Sequence, residues 1–262
     1  MLTNWLLFAS LFLLTSSGID AEASALMIQP RIYGGQKTSN SDIGGFGVQI
    51  FYKNKLVCTG VLISSRHLIT AAHCFENMAQ SDFHVVAGTS LEAVALTRSE
   101  KKNGLVEVRL HPKFDKLKFI ADIAVVKTQY PLKGRTIGYA KLCKYPLYNG
   151  DRVTVAGWGT DGTRRSSDER QYLQTMQSSI VGHKQCEKKL GRKMPPNILC
   201  AGEYNHQTLC TGDSGGPLIW QDEVCGISTW TWKCGDNEKP DVFMSVRHYA
   251  KFITSTINEM GY

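Results

Sequence analysis

The sequence contains no Cys-x-x-Cys pair, no Asn-x-Ser/Thr sequon, no internal repeat and no low-complexity linker. The first absence leaves zinc and thiol-redox sites without their usual spacing. The second removes the acceptor for N-glycosylation. Long apolar runs are scarce as well: Trp5–Leu14 alone approaches one, and it is too short to span a bilayer. Neither Lys nor Arg precedes it, so only the amino terminus supplies the positive end of a leader. The small residues Ser16-Ser17-Gly18 and Ala21-Glu22-Ala23 follow, and either set fits a signal-peptidase site. The reading is a signal peptide over residues 1–23, cut after Gly18 or Ala23, ahead of a soluble, secreted, extracellular protein with no membrane span. A short buried helix is the alternative.

What is present describes a globular chain: 262 residues, 42% hydrophobic and 20% charged. Eight cysteines behind a leader predict disulfides. The net charge is +7, with a basic cluster at Lys184, Lys188, Lys189, Arg192 and Lys193 and another at Arg164-Arg165. Such surfaces attract acidic polymers or membranes, but solvated loops are the plainer reading.

Short β-branched and aromatic runs recur between turn residues: Val48–Phe51, Val57–Ile63, His84–Ala87, Val106–Leu110, Ile123–Val126, Val153–Ala156, Leu218–Trp220 and Val242–Val246. Lys53-Asn54-Lys55 has the look of a hairpin tip. The pattern predicts an all-β sandwich or barrels. Only Arg247–Glu259 reads as a helix, with Tyr249, Phe252, Ile253 and Ile257 on one face. Residues 130–147, rich in Pro, Gly and Lys, are the candidate connector between two halves.

Chemistry concentrates at Gly212-Asp213-Ser214-Gly215-Gly216-Pro217. A serine hydroxyl needs a base to take its proton and donors to hold the oxyanion that follows. Flanking glycines let the backbone turn sharply beside a substrate. His73, in Thr70-Ala71-Ala72-His73-Cys74, is the candidate base. Asp122 opens the apolar run Asp122-Ile123-Ala124-Val125-Val126, where burial demands a donor or cationic partner.

Thr-Ala-Ala-His-Cys, Asp-Ile-Ala-Val and Gly-Asp-Ser-Gly-Gly-Pro, in the chain order His, Asp, Ser, resemble the trypsin/chymotrypsin family of serine proteases. The likeness runs from Ile32 to about Asn258. It implies an all-β fold of two antiparallel six-stranded β-barrels, with the active site between them and a C-terminal helix. The barrels would fall at about 32–135 and 136–262. It implies a serine endopeptidase acting through an acyl-enzyme, with His73 as general base and acid, Asp122 as its orienter and Ser214 as nucleophile. The N–H groups of Gly212 and Ser214 would form the oxyanion hole.

Arg31-Ile32-Tyr33-Gly34-Gly35 resembles the family's activation site. Cutting after Arg31 would free residues 24–31 as a short propeptide and create an ammonium at Ile32. The natural partner is Asp213, a carboxylate otherwise buried without a counter-charge. By resemblance the disulfides are Cys58–Cys74, Cys186–Cys200 and Cys210–Cys234. A further family bridge falls here on Val153 and Trp220, so Cys143 and Cys225 pair by elimination.

The specificity pocket departs from trypsin. The residue six before the nucleophile is Thr208, followed by Leu209, where trypsin has aspartate. Asp241 stands where the family commonly has a glycine lining the same pocket. Thr229, Trp230 and Thr231 form another wall. The expectation is a weak preference for Arg or Lys before the cut, with chymotrypsin- or elastase-like choice as the alternative. No cofactor and no metal are implied: calcium binders of the family carry glutamate after the glycine where Thr89 follows Gly88, leaving Glu92 and Glu100 as loop residues. The implied partners are protein or peptide substrates, an activating protease of tryptic specificity and protein inhibitors, with a monomeric enzyme and no nucleic acid. A non-catalytic binding homologue using the Lys184–Lys193 cluster is the competing class. An esterase is weaker still, because the hydrolase order Ser, Asp, His is reversed.

Overall fold

The computed structural model describes residues 32–93, 102–160, 171–202, 207–235 and 238–261. The signal-peptide and propeptide readings, Arg31, Glu100 and Arg164-Arg165 lie outside these residues. Seven strands arise in the first half: β1 (Gln36–Lys37), β2 (Gly47–Tyr52), β3 (Lys55–Leu62), β4 (His67–Thr70), β5 (Phe83–Ala87), β6 (Asn103–Leu110) and β7 (Ala124–Thr128). The second half supplies β8 (Lys141–Leu142), β9 (Arg152–Gly157), β10 (Gln174–Val181), helix α1 (His183–Leu190) and β11 (Ile198–Ala201). It continues through β12 (Pro217–Trp220), β13 (Glu223–Trp230), β14 (Asp241–Ser245) and helix α2 (Val246–Met260).

Strands β2-β3-β4-β7-β6-β5 close into one barrel. In the second, β10-β11-β14-β13-β12-β9 closes through the β9–β10 pairing, with β1 and β8 attached at its sides. The fold is therefore the all-β pair of six-stranded antiparallel barrels. Closure removes the edge strands that would otherwise invite pairing with other chains. Val48, Ile50, Val61, Leu68, Ile69 and Val125 are fully buried in the first barrel, and Val155, Leu218 and Phe243 in the second. The hairpin between β2 and β3 turns on Lys53 and Asn54, both at positive φ, as a two-residue turn with matching twist requires.

Three departures from the sequence reading have physical causes. First, β1 pairs with β10, so the earliest described residues belong to the second barrel rather than the first. Second, Lys184, Lys188 and Lys189 sit on helix α1 and not in a loop, with Cys186 and Leu190 buried one turn apart beneath them. Third, β4, β10, β11 and β13 add strands at runs the pattern did not single out. In β10 the inward positions include Gln174 and Ser178, which blunts the apolar alternation.

The disulfides join Cys58–Cys74, Cys143–Cys225, Cys186–Cys200 and Cys210–Cys234. Strand β8 runs parallel to β13 with Leu142 opposite Val224, so the next register position brings Cys143 to Cys225. Val153 and Trp220 pack in the same apolar cluster as that bridge.

Candidate active site

His73 lies on a 3-10 turn (Ala72–Phe75) directly after β4, and the bridge from its neighbour Cys74 to Cys58 on β3 pins that turn. Asp122 reaches it from the segment entering β7 and makes two contacts. Its Oδ1 accepts from the His73 backbone N–H at 2.8 Å, and its Oδ2 lies 2.7 Å from His73 Nδ1. The Asp122 side chain is only 7% exposed and that of His73 16%. This arrangement fixes Nδ1 as the protonated nitrogen facing the carboxylate and leaves Nε2 to face the cleft.

The Asp122 segment is itself held under constraint. Phe119 and Ala121 both adopt positive φ, at 56° and 53°. The buried N–H of Ala121 donates to the Tyr249 hydroxyl of α2 at 2.9 Å. Burial pushes the Tyr249 hydroxyl up to about 12, so it stays protonated near neutrality. The C-terminal helix therefore supports the carboxylate's backbone, a role that its apolar face did not disclose.

The Ser214 loop is pressed onto the first barrel. Thr59 of β3 donates its N–H to the Ser214 carbonyl and its hydroxyl to the Gly212 carbonyl, at 2.8 and 3.0 Å. Gly215 has φ +84°, and a Cβ there would lie 1.9 Å from Thr70 Oγ1 and 2.2 Å from the Thr59 carbonyl. No side chain fits, and Thr70 is the start of the His73 motif. The His73 and Ser214 loops thus share a contact made possible by a glycine. Ser214, His73, Gly212, Leu209, Thr229, Trp230 and Thr231 line one cleft of about 350 Å³. Ser228, Thr211, Met78 and Lys116 line it too, and the sequence pattern did not single them out.

Asp213 is fully buried. Its Oδ1 accepts from Gly159 N–H at 2.7 Å and its Oδ2 from Cys210 N–H at 2.9 Å. A Cβ at Gly157 or Gly159 would come within 2.0 to 2.4 Å of the carboxylate, so both glycines make room for it. Burial lifts this carboxyl from 3.8 to about 7, against the pull of those two N–H donors, and the nearby Asp241 charge adds to the rise. Among the described residues no cation lies within ion-pair distance of it. Ile32 is buried in the second barrel's apolar cluster alongside Leu209.

The two residues singled out for specificity are placed differently. Thr208 is buried behind the cleft wall. Its backbone pairs both ways with Tyr33, and its hydroxyl accepts from Gly235 N–H at 2.7 Å. Asp241 opens β14, and its Oδ2 accepts from the Leu209 N–H at 3.0 Å. Its Oδ1 is buried with no hydrogen-bond partner among the described residues. Burial raises its carboxyl to about 7, while the Thr231 hydroxyl and the Leu209 N–H pull it down. A buried acceptor without a donor is costly and marks a place where a cationic group would be stabilised.

Cys58, His73 and Cys74 bring three potential metal ligands together. The donor set does not fit an ion, because both sulfurs are consumed by the disulfide and Nδ1 by Asp122. Glu92 accepts from the Gln171 N–H at 2.9 Å and so is committed to tying two loops together.

The barrels define an all-β scaffold whose shared cleft brings His73 and Ser214 together. Residues 32–253 match the family model described as Trypsin. The chain belongs to the trypsin family and is a serine-type endopeptidase acting on protein or peptide substrates. It is 30% identical over 237 residues to Seminase of Drosophila melanogaster, covering 88% of this chain and 84% of that one. Anionic trypsin of Canis lupus familiaris is 29% identical over 76% of this chain and 79% of its own. Among solved structures, neuropsin, a serine protease of mouse brain, aligns with a TM-score of 0.70 and 27% identity, covering 81% of this chain and 94% of that one. Among the described residues no helix is long and apolar enough to cross a membrane.

Replacing Tyr249 with Phe removes the acceptor of the buried Ala121 N–H without opening a cavity. The expected cost is about 1 to 3 kcal/mol, read as a lowered urea midpoint at unchanged m-value.

Proposed function

We propose that the protein is a secreted endopeptidase made as a zymogen, with a signal peptide over 1–23, a propeptide over 24–31 and a protease domain over 32–262. The observation that carries the reading is the two-point attachment of His73 to Asp122 in a cleft shared with Ser214. In this mechanism His73 Nε2 takes the Ser214 Oγ proton as Oγ bonds to the scissile carbonyl carbon. The carbonyl oxygen becomes an oxyanion that accepts from the N–H groups of Gly212 and Ser214. Each such donor contributes roughly 3 kcal/mol to the transition state. As the C–N bond breaks, His73 returns its proton to the departing amine and an acyl-Ser214 ester remains. Water, deprotonated by His73, then releases the acid. Asp122 holds the imidazole and offsets its transient charge. The partners under this reading are polypeptide substrates, an activator that cuts after Arg31 and protein inhibitors, and the enzyme works as a monomer.

Treatment with a protease that cuts after Arg31 should make Ser214 reactive toward an organophosphorus probe, detected as one covalent adduct on the Ser214 peptide. Absence of labelling after complete cleavage would sink the catalytic reading and favour a binding homologue.

Activation is proposed to run through Asp213. A new ammonium at Ile32 would be the cation that its carboxylate lacks, and pairing would order the Gly212–Ser214 donors. The uncleaved chain should therefore carry a pH-dependent penalty. Below pH about 4 the Asp213 carboxyl is protonated in folded and unfolded chains alike. Between about 4 and 7 the unfolded chain ionises while the folded one keeps its proton, so stability falls as pH rises. Above about 7 the loss is constant, on the order of 4 kcal/mol. In the uncleaved Ser214→Ala protein, the stability gained by Asp213→Asn should grow from pH about 4 to 8. A pH-independent difference would show that Asp213 is not held protonated.

Preference for Arg or Lys before the cut is supported by the unpartnered Asp241 Oδ1 behind Leu209. Asp241→Asn should lower kcat/KM for Arg peptides by about 100-fold while sparing Leu and Phe peptides. Equal cleavage after Arg, Phe and Leu by the unaltered enzyme would instead assign choice to the apolar wall.

A further inference from the structure

One wall of the cleft continues outward as a row of stacked side chains that the mechanism leaves unused. Trp230 lines the cleft beside Ser228 and Thr229. Its ring meets Phe119 at 4.9 Å on one side and Trp232 at 5.2 Å on the other, both edge-on. Each end of this aromatic row carries a cation. Arg192 lies 4.5 Å from the Phe119 ring centroid, and Lys239 Nζ stands 3.3 Å from that of Trp232. Trp232 is 49% exposed, so the row is open to solvent at that end, while Phe119 at the other is buried beneath Arg192.

The cationic end at Arg192 does not stop there. Arg192 also donates to the Leu117 carbonyl, which fixes α1 and its following turn against the 113–119 loop. Lys116 of that loop lines the cleft itself. Beyond Arg192 lies an open depression of about 690 Å³ lined by Lys184, Glu187, Lys188, Gly191, Arg192 and Lys193. Its one carboxylate, Glu187, is engaged with the Met194 N–H at 3.0 Å and Lys193 at 3.4 Å. Glu76 similarly sits 3.6 Å from Lys116. Positive charge remains in excess along the whole path.

We propose that the row Arg192–Phe119–Trp230–Trp232–Lys239, with the basic depression beyond it, docks an acidic segment of the polypeptide substrate upstream of the cut. The occupant follows from continuity. Ser228, Thr229, Trp230 and Thr231 line the cleft beside Ser214, so substrate chain leaving the cleft along this wall meets Trp230 and then Arg192, which covers Phe119. Aromatic faces accept backbone and side chains of many kinds, whereas cations at both ends select carboxylates or sulfate esters on that chain. Arg192 is held by its stacking on Phe119 and its bond to Leu117, so it is offered with little ordering cost. The inference rests on the endopeptidase reading of the cleft but not on Asp241.

The test compares quenched peptides that share one cleavable core and carry an upstream run of Glu, Gln or Lys. The activated enzyme should favour Glu over Gln by about tenfold in kcat/KM, mainly through KM, with Lys the poorest. High salt should erase the ranking. The charge-reversal variant K188E/R192E/K193E should invert Glu and Lys, a ratio read within one preparation and so independent of folded yield. Equal rates for the three peptides would overturn the proposal while leaving the endopeptidase intact. Should the core go uncleaved, the catalytic reading fails, and titration of the Glu and Gln peptides onto the Ser214→Ala protein decides the docking surface by itself. Equal peptide rates with retention on a sulfated-polysaccharide column would assign the surface to a polysaccharide and overturn the peptide reading.

Discussion

A single buried carboxylate organises the second barrel's side of the cleft. Asp213 has no solvent, and its two oxygens are satisfied by N–H groups from Gly159 and Cys210. Those two contacts tie the chain just after β9 to the segment just before Ser214. They also dictate that positions 157 and 159 carry no side chain, since a Cβ at either would collide with the carboxylate. The next residue, Ser214, then meets β3 of the other barrel through Thr59. One desolvated carboxyl group therefore sets the local sequence, the loop path and the contact between barrels.

The first and last described elements reinforce that contact by crossing over. The early strand β1 joins β10 of the second barrel, although the strands that follow it build the first. At the other end, α2 leaves β14 of the second barrel and leans on the first. Lys127 on β7 donates to the Met260 and Gly261 carbonyls, Arg109 on β6 pairs with Glu259, and Tyr249 holds Ala121. A cleft between two barrels is vulnerable to sliding, and each barrel here is fastened by a segment belonging to its partner. The Tyr249 bond places this fastening one residue from Asp122.

How much of this could be read from sequence depended on whether a position's environment is local. The strands at Val48–Phe51 and Val153–Ala156 were legible because β-branched residues report a pleated, buried surface directly. Strand β10 was not, since Gln174 and Ser178 occupy its buried face and their partners lie on other strands. Helix α1 shows only Cys186 and Leu190 to the core, too short a stripe among lysines to register as amphipathic. Ser214, His73 and Asp122 stood out as motifs because each lies among particular neighbours within a few residues. The pocket was not. Thr208 looked like its base by position along the chain, yet its hydroxyl is committed to Gly235 and its backbone to Tyr33. That commitment is made across the fold, and no spacing along the chain reports it.

Asp213 and Asp241 together give the site its electrostatic character. Both are buried, both are lifted to about 7, and the charge on Asp241 is one reason Asp213 resists ionising. Two desolvated carboxylates in one barrel repel each other, so a cation delivered to either lowers the cost of ionising the other. Under the proposed mechanism one cation is the chain's own new terminus and the other is the substrate's basic side chain. Filling the pocket would then favour the ionised Asp213 on which the order of the oxyanion donors depends. The coupling is a consequence of placing an acidic residue on β14 rather than at position 208, because Asp241 bonds to the Leu209 N–H while Asp213 bonds to the adjacent Cys210 N–H. Successive amides of one short segment thus bind the carboxylates of Asp241 and Asp213.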